Sequence, residues 1–197
     1  MSHYFTNKPE TPHDEKLLTT TLRGQEFSFY TDSGVFSKDA VDFGSRTLTD
    51  TMAISEGASV LDMGCGWGPV GIAAARLNPS GTVLLVDVNT RALALAERNI
   101  IINKVPNATT LVSDVYANLE SRMFDTILTN PPIRAGKSVV HSIFTGAVEH
   151  LNPGGSLWVV IQKKQGAPSA EKRLNELFSK VHIRARNKGY YIFEAVK

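Results

Sequence analysis

The chain has 197 residues, a length that suits one domain with a small appendage and a sizeable buried core. With 42% hydrophobic and 20% charged residues, the composition is that of a globular protein and excludes a disordered or fibrous chain. No apolar run is long enough to span a membrane, and a single cysteine, Cys65, excludes an internal disulfide and a cysteine-based zinc cluster.

The N-terminal MSHYFTNKPE lacks the basic-then-apolar pattern of a signal peptide, so a cytosolic protein is expected. The net charge of +2 hides an asymmetry: −4 over residues 1–162 and +6 from Lys163 to the end. Such a basic segment suits a polyanionic partner. It equally suits a solvated helix face and a charged edge strand, and charge alone favours that plainer reading.

In chain order, residues 1–14 read as a loose polar tail with Pro9 and Pro12. KLLTTTLRGQEFSFYT reads as two strands about Arg23-Gly24, a hairpin. GVFSKD is a loop, and SKDAVDFGSRTLTDTM a helix with Ser37 as its N-cap. From Ala58, strands alternate with helices: SVLDM then PVGIAAARL, TVLLVDV then TRALALAERNIIINK. ATTLVSD and FDTILTN follow as strands, and SVVHSIFTGAVEHL as a helix closed by NPGG. SLWVVIQ is a strand, SAEKRLNELFSK a helix, and VHIRAR and YYIFEAV are strands joined tightly enough for a hairpin. The pattern predicts an α/β fold: a mostly parallel sheet with one antiparallel edge strand and helices on both faces. Residues 1–57 are expected to form a hairpin and helix extension covering the site, and 58–197 the core.

Sheets of this kind bind ligands at the carboxyl ends of their strands. The first core strand ends in LDMGCGWGPVG, with Asp62, Gly64, Cys65, Gly66 and Gly68. Its third glycine comes two positions after the second, not three, so it departs from the dinucleotide fingerprint. The second strand ends at Asp87 and Val88, where an acid can accept from both hydroxyls of a ribose. As a plain alternative, Asp87 caps the next helix, with Asn89 competing. The third ends at Asp114, which can accept from an exocyclic amine, and Val115, which can pack on a ring; an Asx-turn is the plain alternative. The fourth ends in Asn130-Pro131-Pro132-Ile133, where prolines stop the strand and hold a stiff turn.

Together these strand ends resemble the class I methyltransferases that use S-adenosylmethionine. VLDMGCGWG resembles their glycine-rich motif, Asp87 their ribose-binding acid, Asp114 their adenine-contacting acid, and NPPI the Asn-Pro-Pro-aromatic motif of amino-methylating members. GVFSKDAVDFGSRTL further resembles the segment before the core in the ribosomal RNA small subunit methyltransferase C family, which methylates guanine N2. The resemblance implies a Rossmann-like sheet of seven strands and S-adenosylmethionine as cofactor. It implies a loop of Gly34, Val35, Phe36 and Ser37 near cofactor and target. It also implies an RNA substrate; the five histidines, without metal spacing, and the lack of a long apolar run predict no metal and no membrane. The family's bacterial enzyme carries a second, N-terminal domain copy, of which no counterpart is expected here, and Ile133 stands where a stacking aromatic is usual, with Phe36 as a substitute ring.

Guanine N2 is a weak nucleophile because its lone pair is delocalised into the ring. The Asn130 side-chain carbonyl and the Pro131 backbone carbonyl could accept its two hydrogens and aim the lone pair. Phe36, Ser37, Arg134, Lys137, Lys163 and Lys164 are the expected RNA contacts. Cys65 is expected to pack rather than react, and His141 and His150 to lie on helix surfaces. Two rival functions are methylation of a protein glutamine amide and a methyltransferase-like domain that only binds RNA or a partner. The first predicts an acidic or neutral rim, the second a loss of the acidic or Asn-Pro-Pro residues.

Overall fold

The structure, a computed structural model, describes residues 12–197; the expected tail over 1–11 lies outside them. β1 (Lys16–Leu22) and β2 (Gln25–Thr31) form the expected hairpin. Its turn residues Arg23 and Gly24 have φ of 48° and 75°, the left-handed pair whose twist matches that of the flanking strands.

The first helix, α1 (Phe43–Thr51), begins six residues after the expected cap. Ser37 has φ 55°, outside the extended region that a cap requires, whereas Asp42 has φ −62° and ψ 157°. The Asp42 carboxylate accepts the Gly44 and Ser45 amides at 2.9 and 3.2 Å. Asp42, not Ser37, starts the helix.

The core elements follow as β3 (Ser59–Met63), α2 (Pro69–Leu77), β4 (Thr82–Asp87), α3 (Thr90–Ile102), β5 (Ala108–Val112) and β6 (Phe124–Thr129). Then come α4 (Lys137–His150), β7 (Leu151–Gln162), α5 (Ala167–Leu177), β8 (Lys180–Asn187) and β9 (Tyr190–Val196). Seven strands form one sheet in the order β5-β4-β3-β6-β7-β9-β8. The first five are parallel, and antiparallel pairing is confined to one edge, where β9 runs between β7 and β8. The NPGG segment, expected to close the helix before it, is instead an irregular start to β7: the pairing steps from Phe124–Leu151 to Thr126–Ser156. Gly154, at φ 78°, allows this bulge.

Alternate strand residues feed two cores. Val60, Val83 and Leu128 pack with α2, α3 and the hairpin, while Leu61, Ile127 and Val159 pack with α4 and α5. Phe27 and Phe29 of the hairpin are buried in the first core. Two asparagines of α3 and its C-terminus complete the docking. Asn99 accepts the Tyr30 amide at 2.6 Å and donates to its carbonyl at 3.0 Å. Asn103 accepts the Ser28 amide at 3.1 Å and donates to its carbonyl at 2.7 Å. Each amide side chain mimics a peptide and satisfies backbone groups of β2 that would otherwise be orphaned.

His150 is not a surface residue. It is 8% exposed, stacked on Tyr116 with ring centroids 4.7 Å apart, and its Nδ1 meets the Arg122 carbonyl at 2.8 Å. Its place in the last turn of α4, turned onto the segment between β5 and β6, sets this environment.

Candidate active site

β3 lies between β4 and β6, so the strand order reverses there, the position at which open sheets take ligands. The glycine loop follows β3 and the Asn-Pro-Pro turn follows its neighbour β6. The Thr129 hydroxyl donates to the Met63 carbonyl at 2.9 Å and pins the two strand ends together.

In the glycine loop, Gly64, Gly66 and Gly68 have φ of 71°, 57° and 94°. The Gly64 and Cys65 amides both donate to the Val86 carbonyl at 2.9 Å, folding the loop over the end of β4. A Cβ on Gly64 or Gly66 would project into open space. On Gly68 it would meet Ile72 and Leu85 at 3.0 Å, and on Gly71 Asp62 at 2.8 Å. The first two glycines therefore leave a bare backbone cradle, and the others let α2 close on the sheet. Asp62 is buried beneath this helix and accepts the Gly71 amide at 2.7 Å. Burial pushes its carboxyl up to about 7, against that hydrogen bond and helped by the Asp87 charge. Cys65 is buried, and burial pushes its thiol well up, so it packs rather than attacks.

Asp87 accepts the Gly66 amide at 2.8 Å on one oxygen and the Asn89 amide at 2.8 Å on the other. Burial raises its carboxyl pKa, while the Asn89, Gly66 and Val88 amides oppose the rise. The carboxylate is thus held rigidly, with acceptor capacity left for a diol. The N-cap of α3 is Asn89, whose side chain accepts the Arg91 and Ala92 amides at 3.0 and 3.2 Å. Beyond β5, Asp114 is exposed and its side chain makes no hydrogen bond among the described residues. Ser113 closes the local turn instead, donating to the Val115 carbonyl at 2.7 Å and accepting the Asn118 amide at 3.1 Å. Val115 has φ 49°, a costly backbone for a β-branched residue, stabilised by that turn.

After β6, the Asn130 amide nitrogen donates to Asp42 at 3.2 and 3.3 Å and to the Ser45 hydroxyl at 3.0 Å. A carboxylate only accepts, so the NH2 faces α1 and the side-chain carbonyl faces away from it. The Ile133 amide donates to the Pro131 carbonyl at 2.8 Å around Pro132 (φ −74°, ψ 80°), an inverse γ-turn that fixes this carbonyl's direction. One Pro131 lone pair is engaged there and one remains. Ile133 is half-buried against the second core.

The Gly34–Ser37 loop is fastened across the site. Asn89 donates to the Gly34 carbonyl at 3.1 Å and Trp67 Nε1 to the Phe36 carbonyl at 2.9 Å. Beneath it, buried Asp32 pairs with Arg91 at 2.6 Å. Burial alone would raise the Asp32 carboxyl, but the Asp14 amide, Arg91 and His13 together hold it well below the usual range. Val35 is buried, the Phe36 ring is 53% exposed, and the Ser37 hydroxyl is taken up by the Ala40 carbonyl at 2.6 Å. Arg134, Lys137, Lys163 and Lys164 are exposed after β6 and β7. The Lys163 amide donates to the Gly189 carbonyl at 2.7 Å, which places the β8–β9 turn and Lys188 on the same rim.

The roles of Asp42, Ser45 and the Asp32–Arg91 pair have no counterpart in the sequence expectations, whereas Asn89 is the cap that competed with Asp87. Asp42 carries a cap signature before a helix; its tie to Asn130, 88 residues away, has no local signal.

The model of the methyltransferase small domain family matches residues 26–194. The chain is 47% identical over 99% of its length to the uncharacterized protein YbxB of Bacillus subtilis, covering 98% of that protein. It is 32% identical over 87% of its length to ribosomal RNA small subunit methyltransferase C of Erwinia tasmaniensis, and covers 50% of that relative. Its fold matches a T. thermophilus 16S rRNA N2 methyltransferase, solved with AdoMet and guanosine, at a TM-score of 0.83 and 27% identity, covering 94% of this chain and 51% of that one. The chain thus spans about half the length of these two rRNA methyltransferases. It belongs to the methyltransferase small domain family, and its methyl donor is S-adenosylmethionine.

Proposed function

We propose that the chain transfers a methyl group from S-adenosylmethionine to the exocyclic N2 amine of guanine in ribosomal RNA, with the small subunit as the first candidate and the cytoplasm as its place of action. The observation that carries this reading is the fixed orientation of Asn130, whose NH2 is held by α1 so that its carbonyl faces away from that helix, next in the chain to the Pro131 carbonyl fixed by the turn.

When bound, the cofactor supplies a methyl on a sulfonium, a leaving group already positive, so neither a metal nor a strong acid is required. The chain's residues do the rest. Asp87 takes the ribose hydroxyls, the Gly64–Gly66 backbone lies along the donor, and Asp114 accepts from the adenine amine with Val115 against the ring. Asn130 Oδ1 and the Pro131 carbonyl accept the two N2 hydrogens and favour a pyramidal nitrogen whose lone pair points at the methyl. Pro132 keeps both acceptors in place, Ile133 covers a base face, and the Phe36 ring closes over the site. Arg134, Lys137, Lys163 and Lys164 hold phosphates of the strand from which the base is extruded.

The exposed cations favour RNA over a protein glutamine, whose approach would suit a neutral or acidic rim. Retention of Asp87, Asp114 and Asn130 favours an enzyme over a binding module. Purified chain and radiolabelled S-adenosylmethionine would be mixed separately with naked rRNA, small subunits, large subunits and ribosome-free protein extract. Label recovered as N2-methylguanosine supports the proposal and names the particle. Label only in protein replaces it with glutamine methylation.

A further inference from the structure

We infer that Asp42, with Ser45, is a positioning residue for methyl transfer: it acts through Asn130, fixing the amide's orientation and strengthening its carbonyl as an acceptor. The inference rests on the proposed amine clamp and extends it to the helix before the core.

The geometry separates the two oxygens of Asp42. Oδ1 serves the helix, accepting the Gly44 and Ser45 amides, and also meets Asn130 Nδ2 at 3.3 Å. Among the described residues, Oδ2 accepts only from Asn130 Nδ2, at 3.2 Å. The Ser45 hydroxyl accepts from the same nitrogen at 3.0 Å. Without such acceptors the amide could turn over and present NH2 to the substrate amine, donor against donor. With them, only the carbonyl faces the substrate.

Charge adds to orientation. A carboxylate accepting from the amide NH2 draws electron density towards the amide oxygen, a charge-assisted and mutually polarising arrangement. As the N–C bond forms, positive charge develops on the attacking nitrogen and its hydrogens. A more negative Asn130 oxygen, backed by a fixed anion, stabilises that charge where it appears. Nothing must reorganise during the step, because α1 is already held. The Arg46 guanidinium bonds the Thr20 hydroxyl at 2.8 Å, and Phe43 packs on Tyr190 with ring centroids 5.5 Å apart.

Asp42→Asn isolates this role from the cap, because Asn caps as well as Asp. Its Oδ1 keeps the Gly44 and Ser45 amides, while an NH2 replaces Oδ2 opposite the Asn130 NH2. The expected result is a kcat lower by about ten- to a hundredfold, the scale of losing support for a group at the reacting atoms. Cofactor Kd and RNA KM stay within about twofold, and Tm within about 2 °C. Ser45→Ala should cost only a few-fold.

The decisive comparison is Asp42→Asn made in an Asn130→Ala background. A residue acting through Asn130 adds no further loss there, whereas a structural residue costs as much as in wild type. Additive losses, an unchanged kcat in the single variant, or a matching fall in Tm would each overturn the inference. Should wild type leave every RNA unmethylated, the clamp's proposed substrate fails and the orientation is read directly. The Asn130 side-chain amide resonance, identified by its loss in Asn130→Ala, should show slow proton exchange that Asp42→Asn abolishes. Fast exchange in both would overturn the inference independently of substrate.

Discussion

The Asn89 side chain donates a hydrogen bond to the carbonyl of Gly34 at 3.1 Å. It does so two residues beyond Asp87, while the Asn89 backbone amide holds that carboxylate at 2.8 Å. One residue thus ties the loop before the core to the acid expected to hold the ribose. Asn89→Asp keeps the N-cap of α3 but places an acceptor against the Gly34 carbonyl. Cofactor Kd should rise by about five- to tenfold, the scale of one hydrogen bond and a mild repulsion, with Tm little changed. Isothermal titration with S-adenosylmethionine reads this, and an unaltered Kd would separate the loop from the cofactor site.

Asp87 and Asn130 should separate binding from turnover. Asp87→Ala removes the ribose acceptor and leaves the Gly66 and Asn89 amides without their carboxylate, so cofactor Kd should rise at least tenfold. Asn130→Ala leaves the cradle intact and should keep Kd within about twofold while kcat falls by about a hundredfold or more. Titration and single-turnover methyl transfer on the same preparations distinguish the two. Equal loss of binding and turnover in Asn130→Ala would remove the amine-clamp role.

Asp62 predicts a pH dependence of stability. Its ordinary carboxyl pKa is 3.8, and burial, with the Asp87 charge, raises it to about 7 in the folded chain. Between these values the native carboxyl keeps a proton that the unfolded chain has released. The native state therefore binds more protons, and stability falls as pH rises through that window. Below it the contribution is fully present, and above about pH 7 it is lost. Asp87, also raised by burial, acts with the same sign. Asp62→Asn should flatten the decline without removing it. Melting curves of both proteins in steps from pH 4 to 8 test this, and parallel curves would show that Asp62 stays ionised in the fold.

The sheet and its strand ends are legible in the sequence because each rests on a local signal. Apolar runs such as Thr82–Asp87 alternate with helical periods, glycines mark the Gly64–Gly68 turn, and the prolines after Asn130 stop β6 at Thr129. What joins distant segments is not legible. Asp42 reads locally only as a cap, and its hold on Asn130 depends on how α1 packs across β7 and β9 of the sheet. Asn99 and Asn103 lie on a helix, where nothing in the sequence says that they pair with the β2 backbone. Ser37 and His150 mislead for the same reason: a left-handed backbone at one and burial at the other come from tertiary packing, which overrides residue type.

The exposed rim gives the last test. Lys163 and Lys164 follow β7 with no salt bridge or hydrogen bond of their side chains among the described residues, and Arg134 and Lys137 follow β6 in the same state. If they meet phosphates, binding must depend on salt through the counterions they release. On single-stranded RNA each lost contact should lower the slope of log K against log salt by about 0.7. Lys163→Gln with Lys164→Gln should therefore reduce the slope by about 1.4, raise KM at physiological salt, and leave kcat at saturation and cofactor Kd unchanged. Filter binding of the methylated RNA across a salt series supplies the slopes. An unchanged slope would mean that these lysines serve only to solvate the rim, and that the strand crosses Arg134 and Lys137 instead.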